Sequence, residues 1–368
     1  MPTTIKHYFL RAAVWLETQV DRTTWRLRQA RGIGPVKILP YMGYATQQAI
    51  YLHGRAIERY KVQAASLQDS RWRNVLNAIR RFNSQDLPNA RLNVCFNDQV
   101  YPVTASAEGH FGAMIPLSSP LPPGQHDIAL ELVDYDGLPG AHSAVPVLVP
   151  DPQAQFAFIS DLDDSVIRTD VDNKLRMLFN TVAYNAHTRQ TFPGVPSFYR
   201  ALEQGTGQAL NPIFYVSTSP WNIYDMLTEF MTVRGIPHGP LFLMDLGLTQ
   251  DHFIRGDPLE HKLVRIRMLM DRFPHLPFIF KGDNSEEDPH TYLQIMREYP
   301  GRVPACYIRD LYAGAHDARL EPVLKHAREA GSEMLLVTNT LQAAQHAAAQ
   351  GFIAADSLPE IEAACAGH

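Results

Sequence analysis

The stretch FAFISDLDDSVIRTD, residues 156–170, decides how the second half of the chain is read. Phe156 to Ile159 form an apolar run that ends at Ser160, and Asp161, Asp163 and Asp164 follow at once. A short apolar run bounded by polar residues reads as a buried strand. Carboxylates crowded at its end repel one another and lose hydration. In extended chain, residues two apart share a face, so Asp161 and Asp163 point one way and Asp164 the other. Two acids on one face can divide labour: one attacks as a carboxylate while its neighbour carries a proton. A bound cation would relieve their repulsion. The same spacing also occurs in ordinary acidic turns, so the motif needs company before it means chemistry.

Downstream, the pattern of strand, loop and helix repeats. Apolar runs at residues 156–160, 213–217, 241–244, 278–281, 303–308 and 334–338 alternate with helical segments. That alternation predicts an α/β fold, a Rossmann-like parallel sheet with helices on both faces. Such sheets bind ligands outside the carboxyl ends of their strands. Upstream, short runs such as VKILPYMG, AIYLHGRAI, ARLNVCFN and HDIALELVDY are separated by turn residues, which predicts a small antiparallel β-sandwich. A polar helical insert, residues 69–85, interrupts it. Residues 4–31 read as one amphipathic helix of basic and aromatic cast, packed on its neighbour or lying on a membrane surface. PDPQAQ, residues 150–155, reads as a linker. The expected organisation is an N-terminal helix (1–32), a β-sandwich-like domain (33–150) and a catalytic domain (151–368).

Composition bounds the function. A chain of 368 residues is long enough for two domains, and a net charge of −5 offers no global attraction for nucleic acid. The three cysteines, Cys95, Cys306 and Cys365, are far apart and form no CxxC pair, so a zinc site or a disulfide framework is not expected and a reducing cytoplasm is. Arg11 and Glu17 break the N-terminal apolar run, against a signal peptide, and no apolar stretch is long enough to span a bilayer.

Three further motifs fall in order behind the acid pair. IFYVSTSPW, residues 213–221, ends an apolar strand at Ser217 and Thr218, where hydroxyl and backbone N–H groups can hold phosphate oxygens; Ser219 before Pro220 also reads as a plain helix start. PLEHKLVRIRMLMDRFP, residues 258–274, puts Lys262 near a helix N-terminus, against the helix dipole, which points to an anionic partner or to a surface lysine. FIFKGDNSEEDPHTY, residues 278–292, ends a strand at Gly282, expected to make a tight turn that presents Asp283. The acids of that loop suit Mg²⁺, although Asp288 before Pro289 also reads as a helix cap.

Together, Asp161–Ser165, Ser217, Lys262 and Gly282–Asp288 resemble the four motifs of the haloacid dehalogenase superfamily of phosphohydrolases. Residues 156–307, with FYVSTSPWNIYD, RGIPHGPLFLMDLG and the stretches above, look more narrowly like the actin-patch-associated phosphatidate phosphatase family, and YMGYATQQAIYLHGRAI more loosely like its N-terminal β region. Ser165 stands where that pattern usually has Thr, and Thr218 where it more often has Asn.

The resemblance implies a Mg²⁺-dependent phosphomonoester hydrolase, with a small cap or none, working through an aspartyl phosphate. Asp161 would be nucleophile and metal ligand, and Asp163 the acid/base and a second metal contact. Ser217 and Lys262 would hold the phosphoryl oxygens, with Ser165, Thr218 and Trp221 toward the substrate. Asp283 would bind the metal, and Asp288 would support it or orient Lys262. A phospholipid substrate and a cytoplasmic, membrane-peripheral location follow from the family alone. NKLRMLFNTVAYN, residues 173–185, would touch lipid or pack as a flap. A phosphatase of soluble metabolites or phosphoproteins, and a non-catalytic scaffold that binds a membrane or a partner, remain the alternatives.

Overall fold

The computed structural model describes residues 35–58, 86–133, 135, 140–162, 191–244, 257–285, 287–312 and 320–366. The expected N-terminal helix, the helical insert, and Asp163, Asp164, Ser165 and residues 173–185 lie outside them.

Seven strands come first: β1 (Val36–Ala45), β2 (Ala49–Glu58), β3 (Arg91–Phe96), β4 (Gln99–Thr104), β5 (His110–Pro116), β6 (Gly124–Leu132) and β7 (Ala141–Val149). They join in one hydrogen-bonded sheet of order β4-β3-β6-β7-β1-β2-β5. The expected sandwich has two antiparallel sheets; here one sheet is continuous, and β1 and β7 run parallel. Leu92 and Val94 of β3 share a buried cluster with Phe111 and Ile115 of β5, from near the opposite end of the strand order. The sheet therefore curls around its own core. A sandwich and a curled sheet both bury alternate residues, so the sequence pattern does not separate them. The β3–β4 hairpin turns on Asn97 and Asp98, both with positive φ (49° and 59°), which matches the twist of the strands it joins.

The second sheet has six parallel strands: β8 (Ala157–Ser160), β9 (Ile213–Pro220), β10 (Leu241–Met244), β11 (Phe278–Asp283), β12 (Ala305–Arg309) and β13 (Glu333–Val337). Their order is β10-β9-β8-β11-β12-β13. Helices α1 (Val195–Gln204), α2 (Tyr224–Arg234), α6 (Thr340–Ala349) and α7 (Leu358–Ala366) cover one face. Helices α3 (Pro258–Arg272), α4 (Asp288–Glu298) and α5 (Leu320–Glu329) cover the other. Because both faces are buried, successive strand residues enter opposite cores: Phe158 packs with Phe198 and Phe230, and Ile159 with Ile266 and Ile295. From β8 the chain moves outward through β9 and β10, then returns to β11 on the other side of β8. The strand order reverses between β8 and β11, the switch point at whose carboxyl ends such sheets place their ligand crevice.

Strand β1 packs its tyrosines against the second sheet and its helices. Between Tyr41 and Tyr44 it carries one residue more than β2, since Tyr41 pairs with His53 but Tyr44 with Tyr51. This bulge brings the two tyrosines to the same side of the sheet. Gly43 sits in it because a Cβ would stand 2.5 Å from the Tyr51 carbonyl oxygen. Tyr44 packs on Phe214, Phe242 and Phe273, and the Arg272 guanidinium lies 3.6 Å from the Tyr51 ring centre.

Candidate active site

The polar motifs converge at the crevice between β8 and β11. Asp161, directly after β8, is 1% exposed, and its N–H donates to the Lys281 carbonyl at 2.9 Å. Helix α3 starts at Pro258, with the Asp257 carboxylate accepting the Leu259 N–H at 3.0 Å. Its apolar stripe, Leu263, Ile266, Leu269 and Met270, is buried, and this turns Lys262 inward. Lys262 Nζ stands 3.0 Å from Asp161 Oδ1 and 2.5 Å from Asp288 Oδ1. The lysine is therefore no surface residue, and it bridges two buried carboxylates from neighbouring elements.

Asp288 opens α4, but its carboxylate does not cap that helix. Its Oδ1 receives Lys262, and its Oδ2 accepts the Asp283 N–H at 3.3 Å. Gly282 makes no turn. Strand β11 runs on through Gly282 and Asp283, which pair with Ile308 and Arg309 of β12. Glycine is required for another reason: a Cβ on Gly282 would meet Asp288 Oδ2 at 2.3 Å and Asp288 Cγ at 2.8 Å. The missing side chain is the space in which the Asp288 carboxylate sits.

Asp283 Oδ1 accepts hydrogen bonds from the Ser285 N–H at 2.7 Å and the Ser285 hydroxyl at 2.6 Å. Its Oδ2 is buried and accepts no hydrogen bond among the described residues. Burial, then the Asp288 charge, push the Asp283 carboxyl up to about 7, against the pull of Ser285 and Lys262. Asp161, Asp283 and Asp288 each offer an oxygen, and the three lie within 4.8 Å of one another. Three buried carboxylates, one with an open oxygen, have the donor set a hard divalent cation such as Mg²⁺ takes.

Ser217 ends the apolar part of β9 and is buried; its Oγ accepts the Ser219 N–H at 2.9 Å. Ser219 lies within β9 and does not cap a helix; the turn that follows, Trp221–Ile223, starts after Pro220. Thr218 is half-buried beside Ser217. The Trp221 ring stacks on Tyr41 at 4.3 Å between centroids and 12° between planes, so one face of the indole is covered.

Two cations of the site were missed or undervalued from sequence. Lys281 is 1% exposed, its Nζ 5.8 Å from the Tyr199 ring centre, and burial followed by the nearby Arg309 pushes it well below the usual lysine range. Arg309 reads as a strand-end loop residue; the structure buries it at the end of β12. There its Nη2 donates to Thr340 Oγ1 at 3.0 Å and its guanidinium covers Phe192 at 4.1 Å. The available signal was parity. Ile279, Lys281 and Asp283 alternate along one strand, so a lysine inside an apolar run must share a face with the acid two residues on.

Comparison with known sequences falls on the same residues. Residues 156–310 match the family model described as the catalytic domain of phosphatidate phosphatase APP1. The match contains Asp161, Ser217, Lys262, Asp283, Asp288 and Arg309. Phosphatidate phosphatase APP1 of Saccharomyces cerevisiae is 29% identical over 154 residues, 42% of this chain and 26% of that protein. An uncharacterized protein of Schizosaccharomyces pombe is 29% identical over 174 residues, 46% of this chain and 27% of that one. The chain thus spans about a quarter of the length of these relatives. A solved carbohydrate acetylesterase from Xanthomonas citri overlaps 81% of this chain and 69% of its own at 12% identity, with a TM-score of 0.30, too low to define a shared fold.

Proposed function

We propose that the protein is a Mg²⁺-dependent phosphomonoester hydrolase of haloacid dehalogenase type, acting on lipid phosphates of the phosphatidate class. The observation that carries this reading is Lys262 bridging Asp161 and Asp288 beside Asp283, within a segment alike to the APP1 catalytic domain. In this reading the Asp161 carboxylate attacks phosphorus, and the ester P–O bond breaks as Asp163 gives its proton to the leaving alkoxide. Asp163 then takes a proton from water, whose oxygen displaces the Asp161 carboxylate and releases phosphate. Lys262 and Ser217 hold the phosphoryl oxygens and stabilise charge as it develops. Asp161 and Asp283 would hold Mg²⁺, which supplies charge neutralisation between nucleophile and phosphate. Both Asp288 oxygens are already engaged, so its role is to orient Lys262.

The test is phosphate release from phosphatidate in mixed micelles and from a soluble phosphomonoester, each with Mg²⁺ and with EDTA. The proposal expects Mg²⁺-dependent turnover, faster on the lipid, and none in Asp161→Asn. A preference for the soluble ester would refute the lipid assignment. No turnover of any ester by folded, Mg²⁺-loaded protein, or full activity in Asp161→Asn, would refute the mechanism.

Among the described residues no helix is long and apolar enough to cross a membrane. On this reading the lipid is met at a membrane surface.

A further inference from the structure

We infer that the seven-stranded sheet is a working part of the active site, and that Tyr41 is a positioning residue for the turn carrying Ser217. The inference rests on the phosphatase reading above, which gives that turn the phosphoryl group. The sheet lies outside the segment that matches the catalytic family, and its contacts with the turn are direct.

Ser217, Thr218, Ser219 and Pro220 end β9, and Trp221 begins the short helical turn behind them. The turn leads directly into α2 at Tyr224, so whatever fixes Trp221 and Tyr224 also fixes the hydroxyl and N–H groups at the end of β9. Tyr41 of β1 supplies the support. It is 1% exposed, stacks face to face on Trp221, and meets the Tyr224 ring at 4.4 Å. The next residue in β1 completes the clamp: the Met42 N–H donates to the Tyr224 hydroxyl at 2.8 Å. That N–H is available because the bulge interrupts the β1–β2 ladder at Met42 and Gly43. Leu39 and Ile57 join Tyr41 in the core that also holds Ile223, Tyr224 and Leu227.

The same strand provides its own comparison. Tyr44 is also fully buried between the sheets, but it touches Phe214, near the start of β9, and Phe273, at the end of α3 away from Lys262. Tyr41 holds the working end of β9, and Tyr44 holds the far end. An effect of general docking would follow from losing either tyrosine. An effect on phosphate would follow from losing Tyr41 alone.

The experiment compares Tyr41→Leu, Tyr41→Phe and Tyr44→Leu in the full chain. The measurements are kcat and KM for a soluble phosphomonoester, the inhibition constant and calorimetric Kd of inorganic phosphate, and the melting temperature. An aromatic pair contributes about 0.5–1.5 kcal/mol beyond its buried area, which corresponds to roughly two- to twelve-fold in an equilibrium constant. Tyr41→Leu is expected to weaken phosphate binding and raise KM within that span. Tyr41→Phe keeps the ring and restores both values. Tyr44→Leu lowers the melting temperature at least as much and leaves KM and Kd unchanged. Equal kinetic changes in Tyr41→Leu and Tyr44→Leu, or none in either, would overturn the inference. If Tyr41→Leu does not fold, Tyr224→Phe removes only the hydroxyl that receives the Met42 N–H and carries the same expectation at smaller size. Wild-type protein that binds phosphate but hydrolyses nothing defeats the phosphatase reading and leaves the Tyr41 comparison to be decided by Kd. Protein that binds no phosphate defeats both.

Discussion

Replacing Gly282 by alanine adds one methyl group to a central strand and should disable the site. The backbone at Gly282 has no positive φ, so alanine meets no conformational strain there. In a strand interior the exchange alone would even favour the folded state by about 0.5–1 kcal/mol. The obstacle is contact. The new Cβ would lie 2.3 Å from Asp288 Oδ2, 2.8 Å from Cγ and 2.9 Å from Cβ. Those distances involve the root of the side chain as well as its tip, so rotation of the carboxylate does not relieve them. Asp288 is 0% exposed and anchored at the first turn of α4, so the carboxylate and that turn must move together. Overpacking of this kind costs about 1–3 kcal/mol. Loss of the Lys262–Asp288 contact strands a buried cation, and breaking such a pair costs about 3–5 kcal/mol. The clash and the broken pair are one event, so a net loss of about 2–4 kcal/mol is expected. The assay is thermal unfolding together with phosphate release. Turnover should fall by about 10²–10³, the range for removing one electrostatic contact to the transition state. The double variant Gly282→Ala/Asp288→Ser should recover melting temperature relative to Gly282→Ala, because the smaller side chain clears the methyl group, and should remain inactive. Wild-type stability and turnover in Gly282→Ala would refute the argument, because they would mean that the Asp288 carboxylate is not held in that space.

Four further outcomes follow from the site's charges. Lys262→Met leaves Asp161, Asp283 and Asp288 crowded without their bridging cation, so unfolding at neutral pH should become easier by about 3–5 kcal/mol, with recovery on adding Mg²⁺; a destabilisation that Mg²⁺ does not reduce would contradict the metal assignment. Asp283 is raised from 3.8 to about 7, so the folded metal-free protein holds more protons than the unfolded chain across that window, and its stability should fall as pH rises through it. Metal needs the ionised carboxylate, so the rise in melting temperature produced by Mg²⁺ should grow from pH 5.5 to pH 7.5; a rise independent of pH would count against Asp283 as a ligand. Lys281 is lowered well below 10.5, so it contributes stability that increases with pH up to that value; Lys281→Met should raise the melting temperature at pH 7 and flatten its pH dependence, and a steep fall at pH 7 would show that its charge is needed for folding.

Asp161, Ser217 and Asp283 were legible because each follows an apolar run, and in a doubly covered sheet such runs end where ligands bind. Lys262 and Asp288 were singled out at helix starts but gained their roles only from the family resemblance, and the structure brings both together with Asp161 and Asp283. The reason for Gly282 was not legible, since the constraint comes from a carboxylate on the following helix and not from the local backbone. Asp288 likewise resembles a cap until Lys262 is seen beside it. Lys281 was overlooked because a lysine at the end of an apolar run looks like its boundary, whereas pairing with β12 carries the strand two residues further. The β region was read correctly as strands and turns, but alternation specifies which faces are buried and not how the sheet closes. The docking of Tyr41 and Tyr44 was invisible for a related reason: residues three apart in a regular strand face opposite ways, and only the bulge aligns them.

The extra residue in β1 has a consequence for building chimeras. It acts as a parity bit between the two sheets: three steps from Tyr41 to Tyr44 lie against two from His53 to Tyr51, which lets one strand present two rings in the same direction. Inserting one residue beside Leu52 in β2 would leave composition and hydrophobicity almost unchanged, yet it would straighten the ladder and rotate one tyrosine toward the first sheet's own core. A foreign catalytic domain grafted behind this β region, or a foreign β region placed before this catalytic domain, should therefore dock only if that one-residue mismatch is preserved.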